Sequence, residues 1–239
     1  LSGPQGLCPG LYTWSDGVAY DDLRVYNLPG PRREVLAEDA QIEYSVARTF
    51  ADDAVGQPPT GIDVEAADGC AATIRIEPTV IYYPKPKGQA LVPDHCLALI
   101  DDSPAAGSVA AVIMPLPSLT SGEVEVELLA ERWEGECATV SLLDAGGGEL
   151  GAVVIIADGS FMARTAEGEQ TLTDTISYQN RPPDGRLYFQ PGRWFTLRLG
   201  FNAGAGVFHA SIVNLYAGLA TPGISWLPLA SNLPLRGTG

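Results

Sequence analysis

Lysine is nearly absent from this chain: Lys85 and Lys87 are the only two in 239 residues. Histidine and methionine occur twice each. Acidic side chains outnumber basic ones 29 to 14, for a formal charge of -15. Such a chain offers no basic face for a nucleic-acid backbone and no polybasic patch for an anionic membrane. No apolar run reaches the roughly 18 residues that a bilayer crossing needs, so no membrane span is expected. There is no Cys-x-x-Cys pair, and His95 and His209 lie in different regions, whereas a zinc site needs about four converging ligands. Also missing are a Gly-rich phosphate loop, a Ser-His-Asp signature, a cofactor fingerprint and an Asn-x-Ser/Thr sequon. What is present is ordinary hydrophobicity, 46%, too high for a disordered chain. The length can bury one sizeable core, or a core plus a smaller appendage.

The four cysteines are Cys8, Cys70, Cys96 and Cys137. An even number in an acidic, Gly- and Pro-rich chain reads as two disulfides, and hence as an oxidising compartment. Of the three possible pairings, the expected one joins Cys70 to Cys96, closing a loop of about 26 residues, and Cys8 to Cys137. Four buried thiols are the alternative. Leu1 is not an initiator Met, and residues 1–10 lack the charged and apolar regions of a signal peptide. The expectation is a processed or excised piece of a secreted or cell-surface protein.

Alternation and turn punctuation dominate the second half. Glu123-Val124-Glu125-Val126-Glu127-Leu128 alternates strictly, placing three glutamates on one face and three aliphatics on the other. Further strands are expected at 137–143, 151–157, 160–165, 171–178, 187–189, 194–201 and 207–214, with turns at 144–148, 158–159, 191–192 and 202–206. The first half is less regular. Residues 10–14, 18–26, 97–100 and 109–114 read as strands, and 71–83 as a strand pair broken at Pro78. Residues 31–53 contain helix formers, but 41–50 fits a strand equally well. Residues 57–61 read as a connection and 84–88 as a linker or stiff loop. No repeat of 20–50 residues occurs. Short strands with Gly/Pro turns and no strong helix mean an all-β fold, an antiparallel β-sandwich.

The stretch from about residue 90 to residue 214 resembles the laminin-G-like, concanavalin A-like jelly rolls. Leu97-Ala98-Leu99-Ile100-Asp101-Asp102 followed by 109–115 is similar to their opening strands. Residues 122–127 resemble their concave-face strand, and Pro191-Gly192-Arg193-Trp194 onward resembles their late hairpin. Gly10-Leu11-Tyr12-Thr13-Trp14 and Tyr20-Asp21-Asp22-Leu23-Arg24-Val25-Tyr26 resemble the end of such domains, yet stand here at the beginning. The resemblance therefore implies three parts: closing strands at 1–27, permuted or donated to a neighbour; a connecting region at 28–88, in which a small β-rich subdomain is one option; and the main jelly roll at 89–239. A donated strand would leave an open groove for another copy to fill.

Candidate sites follow. The acidic strand is similar to the E-x-D-x-E motif of retaining jelly-roll glycanases, which would make Glu123 nucleophile and Glu127 acid/base. The central Asp of that motif is Glu125 here. Residues 187–192 resemble a stretch of alginate-lyase-like jelly rolls, whose companion Gln-x-His and Arg-x-Glu-x-Arg segments are absent. The laminin-G-like resemblance implies one Ca²⁺ held by Asp21 and Asp22, with Asp101 adding oxygen if the strands pair. A sugar platform would use Trp133, Tyr178, Tyr188 or Trp226, with Glu125 beside it. Trp14 and Trp194 interrupt alternating strands and read as core. The expected function is a non-catalytic module that binds an extracellular polysaccharide or other glycan. The alternative is a structural subunit that forms a homopolymer, an extracellular fibre or adhesive assembly joined by strand donation.

Overall fold

Period-two alternation with apolar residues on one side gives strands that must bury that side against a second layer. In a computed structural model the described residues are 8–13, 18–27, 44–82, 89–103, 105, 109–115, 119–130, 136–156, 160–172, 194–214 and 227–237. Among these there are fifteen strands and no helix. In chain order they are β1 (Cys8–Thr13), β2 (Val18–Asn27), β3 (Tyr44–Arg48), β4 (Asp63–Ala66), β5 (Cys70–Tyr82), β6 (Gln89–Asp101), β7 (Ala110–Ile113) and β8 (Ser121–Ala130). They continue with β9 (Glu136–Leu143), β10 (Glu149–Ile156), β11 (Phe161–Thr165), β12 (Gly168–Thr171), β13 (Trp194–Asn202), β14 (Val207–Asn214) and β15 (Leu227–Pro234). All pairings are antiparallel, in two sheets. One runs β12-β11-β10-β9-β1-β7-β4 and the other β15-β14-β13-β8-β2-β6-β5, with β3 also pairing β2.

One apolar cluster joins the two layers. Val112, Val140, Leu142, Val153, Ile155 and Phe161 come from the first sheet, and Leu97, Leu99, Val124, Val126, Leu128, Phe195, Leu197, Leu199, Phe208 and Ile212 from the second. Each such side chain, fully buried, stabilises by roughly 1.5–3 kcal/mol. Phe161 and Phe195 meet edge to face across the layers, with centroids 6.0 Å apart. Where β10 bulges between Glu149 and Gly151, a Cβ on Gly151 would come within 2.7 Å of the Phe208 ring, so the glycine lets the sheets close. The chain after β15 ties the layers at their edge. The Arg236 amide donates to Leu150 O at 2.7 Å, and its guanidinium donates to Thr165 O and Glu149 Oε1, each at 2.9 Å.

The amino-terminal strands lie in the chain's own sheets. β1 sits between β7 and β9 in one layer, and β2 between β6 and β8 in the other. β3, β4 and β5, from the region expected to connect, pair with β2, β7 and β6. The neighbour of β2 changes along its length: Val18–Tyr20 pair with β6, whereas Leu23–Tyr26 pair with β3. A polar knot holds this fork. Arg48 at the end of β3 pairs with the buried Asp53 and lies over the Phe50 ring at 5.2 Å. Thr60 donates to Asp53 through its hydroxyl at 2.6 Å and its amide at 3.1 Å. His95 Nδ1 donates to Asp53 O at 3.1 Å.

Several expectations change. β5 runs unbroken through Pro78 because it is an edge strand, where a missing N–H costs no ladder bond. Within 31–53, residues 44–48 are strand and 31–43 lie outside the described residues. β12 ends at Thr171, where a strand was expected to begin, because its exposed Gly168–Thr171 has no apolar alternation to announce it. The disulfide expectation is overturned. Cys70 and Cys96 are thiols: on the paired strands β5 and β6 Cys70 faces Asp101 while Cys96 faces Arg75, roughly 17 Å along the ladder, far beyond the 4.4–6.8 Å Cα separation of a disulfide. Cys8 faces Leu143 on β9, about 20 Å along that strand from Cys137, so this pair is out of reach too. Cysteine usage therefore gives no support to an oxidising compartment.

Two predictions follow from this frame. Burial acts to raise the Asp53 carboxyl, but the two Thr60 bonds and the Arg48 charge together hold it below the usual carboxylate range. The knot's contribution is thus present above the unfolded carboxyl's pKa and lost as pH falls through the lower folded value. Asp53→Asn should cost about 1–3 kcal/mol at pH 7, and the gap to wild type should close on acidification, as read by urea midpoints from pH 7 to 2.5. Second, iodoacetamide labelling of unfolded, unreduced protein should add four tags per chain; two or none would reveal a disulfide. In the folded protein Cys70 should label slowly at pH 8. Burial and the bond from its Sγ to Asp101 Oδ1, 3.1 Å long, push its pKa up to about 11.

Candidate functional site

Inward Val124, Val126 and Leu128 leave Glu123, Glu125, Glu127 and Leu129 on the outer face of β8. On β13 the inward residues are Phe195, Leu197, Leu199 and Phe201, so Trp194, Thr196, Arg198 and Gly200 share that outer face. The register then builds rows across the sheet. Glu123 stands opposite Gly200, which stands opposite His209 on β14. Glu125 stands opposite Arg198, which stands opposite Ser211. Glu127 faces Thr196, and Leu129 faces Trp194. On the other side of β8, Tyr26, Arg24, Asp21 and Ala19 of β2 stand opposite Glu123, Glu125, Glu127 and Leu129.

Alternation alone predicts a solvated acidic strip, but this one is buried: Glu123 is 7% exposed and Glu125 5%. Arg198 makes the burial possible. Its Nε donates to Glu125 Oε1 at 2.7 Å, and its Nη2 donates to the same oxygen. The same Nε lies 3.5 Å from Glu123 Oε2. One guanidinium thus serves two carboxylates on one strand, and the next row adds an imidazole. His209 Nε2 lies 3.8 Å from Glu123 Oε1, beyond hydrogen-bond reach. Among the described residues neither His209 Nε2 nor Ser211 Oγ has a hydrogen-bond partner, and both atoms are buried. A Cβ on Gly200 would overlap the imidazole, so this position must be glycine for the ring to lie across β13 beside Glu123. At the far end of the rows Trp194, Leu129 and Cys96 form an apolar cluster of their own. Trp194 is buried as expected, but outside the sandwich core.

The expected residues are distributed as follows. Glu123, Glu125 and Glu127 come to one face. Asp21 stands in register with Glu127, and Asp22 falls in the bulge between Asp21 and Arg24. Asp101 is not brought to them: Tyr20 pairs with Leu97, which leaves Asp101 roughly 17 Å along the sheet from Asp21. Its carboxylate accepts from Cys70 Sγ and from the Ser103 amide at 3.0 Å. Among the described residues no three His, Cys, Asp or Glu side chains gather as a metal site. Trp14, Trp133, Tyr178, Tyr188 and Trp226 lie outside the described residues. Sequence reading missed Arg198, His209 and Ser211. The signal was there: counting back from the 202–206 hairpin loop pairs Gly200 with His209 and Arg198 with Ser211, and a lone glycine within a strand marks a close approach.

Removing the guanidinium strands two buried carboxylates. Arg198→Met should lower the unfolding free energy by about 3–5 kcal/mol. Removing charge on both sides, Arg198→Met with Glu125→Leu, should cost less than the single change, as measured by denaturant unfolding of both variants. In comparisons with known proteins the chain matches no family model, no curated protein and no solved structure.

Proposed function

We propose that the outer face of the eight-stranded sheet binds an extracellular glycan without turning it over. The observation that carries this reading is the register that gathers polar side chains in rows on that face, with Arg198 bonded to Glu125 and beside Glu123, and His209 and Ser211 in the same rows. Sugar hydroxyls both donate and accept, so they suit a set that offers carboxylates, a guanidinium, an imidazole and a hydroxyl. The resemblance to concanavalin A-like jelly rolls agrees with this choice of sheet, since their ligand face is built on the same kind of strand. Binding rather than hydrolysis is favoured because a retaining glycosidase needs its two carboxyl groups paired across the bond to be cut, whereas Glu123, expected to act with Glu127, is grouped instead with Glu125 around the Arg198 guanidinium. Assembly by strand donation required the aspartate-bearing strand to leave its own sheet; β2 seated between β6 and β8 supports recognition instead.

Calorimetry against a panel of soluble oligosaccharides tests the proposal. One class should bind, and Ser211→Ala should weaken it by about tenfold, equivalent to roughly 1.4 kcal/mol, with the unfolding midpoint preserved. An unaltered affinity in Ser211→Ala would contradict the placement of the site, and production of new reducing ends would contradict the absence of turnover.

A further inference from the structure

We infer that Pro78 and Pro93 guard a two-stranded ribbon against strand addition, and that the partner they shut out is a second copy of this chain. Past the row of Ile74 and Leu97, β5 and β6 pair only with each other among the described residues. β2 runs beside β6 at Leu97–Leu99 and then turns to β3. On the other side the 56–57 loop meets β5 at Ile74. There the Ile74 amide donates to Gln57 O at 2.9 Å, and the Gly56 amide donates to Ile74 O at 2.8 Å. Ile76–Tyr82 and Gln89–His95 therefore make a ribbon of seven rows with both edges open among the described residues. Ile76, just past the loop, is 54% exposed.

The first support is the direction of the main chain. Its bonds to the loop turn the N–H and C=O of Ile74 away from β6. Directions alternate along an antiparallel strand, so Ile76, Pro78, Val80 and Tyr82 also turn theirs to the open edge. Pro78 faces Pro93 in register, and by the same rule Pro93 turns to the open edge of β6. Neither proline takes a bond from the β5–β6 ladder, but each lacks the N–H that an incoming strand would use. Two copies of the β5 edge, antiparallel about a two-fold axis, would match Ile76 with Tyr82 and residue 78 with Val80. With an N–H at every outward position that ladder would hold roughly eight bonds; Pro78 removes about two from its centre.

The second support is the sequence that follows. Thr79-Val80-Ile81-Tyr82-Tyr83 is β-branched and aromatic, carries no charge and lies between Pro78 and Pro84. Such runs add strands readily, and prolines on their flanks restrain them. The third support is a comparison with the other edges of the two sheets. β4 and β12 have four residues each, and β4 carries Asp63 and Glu65. β15 contains Pro228 and Pro234, shifts register twice against β14 and holds Asn232 at a φ of 56°. β5, with 13 residues, is the longest of the four edge strands, and an edge of that length invites pairing unless it is interrupted. A second copy is the partner to exclude, because this edge is complementary to itself.

The test is size-exclusion chromatography with light scattering on the intact chain at pH 7, over a wide range of concentration. Pro78→Thr restores the missing N–H and should associate at a concentration at least tenfold below any at which wild type does. Adding Val80→Pro removes another N–H from the same edge, spares the β5–β6 ladder and should return the wild-type profile. Circular dichroism checks that each variant is folded, and Pro78→Ala takes the place of Pro78→Thr if the latter is not. A folded variant that associates no more than wild type overturns the inference. So does association that survives Val80→Pro, which would place the contact elsewhere. Wild-type association abolished by Val80→Pro alone would mean that the edge is used rather than shut, and it overturns the inference too.

Discussion

A single guanidinium shared by two glutamates two residues apart is the constraint on which the outer face depends. Arg198 can reach both Glu125 and Glu123 only if β8 and β13 pair in one register, because a slip by one residue would turn every outer carboxylate inward. The apolar side of the same strands enforces that register. Val124, Val126 and Leu128 share the core with Leu197, Leu199 and Phe201, so packing inside and charge pairing outside specify the same alignment. Agreement between those two levels gives a strand with alternating glutamates one place in the sheet.

The pairing also organises what surrounds it. With Arg198 fixed, the 202–206 turn returns β14 so that Ser211 lies beside the guanidinium and His209 crosses Gly200 toward Glu123. β2 lies on the opposite flank and adds Tyr26, Arg24 and Asp21 to the same rows. Two polar devices brace the frame. The Arg48–Asp53–Thr60 knot holds the fork where β2 changes neighbour from β6 to β3. The Arg236 clasp ties the end of β15 to β10 and β11 of the other layer.

The strands with an apolar stripe were legible from the sequence. Val124, Val126 and Leu128 announce β8, and the 194–214 hairpin is visible from its turn and its alternation. The all-β sandwich follows from such segments. Elements whose residues carry no stripe were not legible: β12 is four exposed residues, and β5 contains a proline that only an edge position excuses. Partnership across long separations was hidden as well. Glu125 and Arg198 are 73 positions apart, and no local pattern says that one neutralises the other; alternation therefore suggested a solvated strip where a buried pair exists. The cysteines misled for the same reason, since an even count carries no information about register, and register is what sets Cys70 and Cys96 apart.

The two histidines supply the most direct measurement. His209 lies on the outer face beside Glu123, while His95 belongs to the fork knot, so each reports on a different part of the molecule. Long-range ¹H–¹⁵N spectra of the imidazoles, recorded while a neutral oligosaccharide is added to the intact chain, should show the His209 nitrogens moving in a saturable way while those of His95 stay fixed. Movement of His95 alone, or an unmoved His209 at saturating ligand, would contradict the assignment of this face as the binding surface.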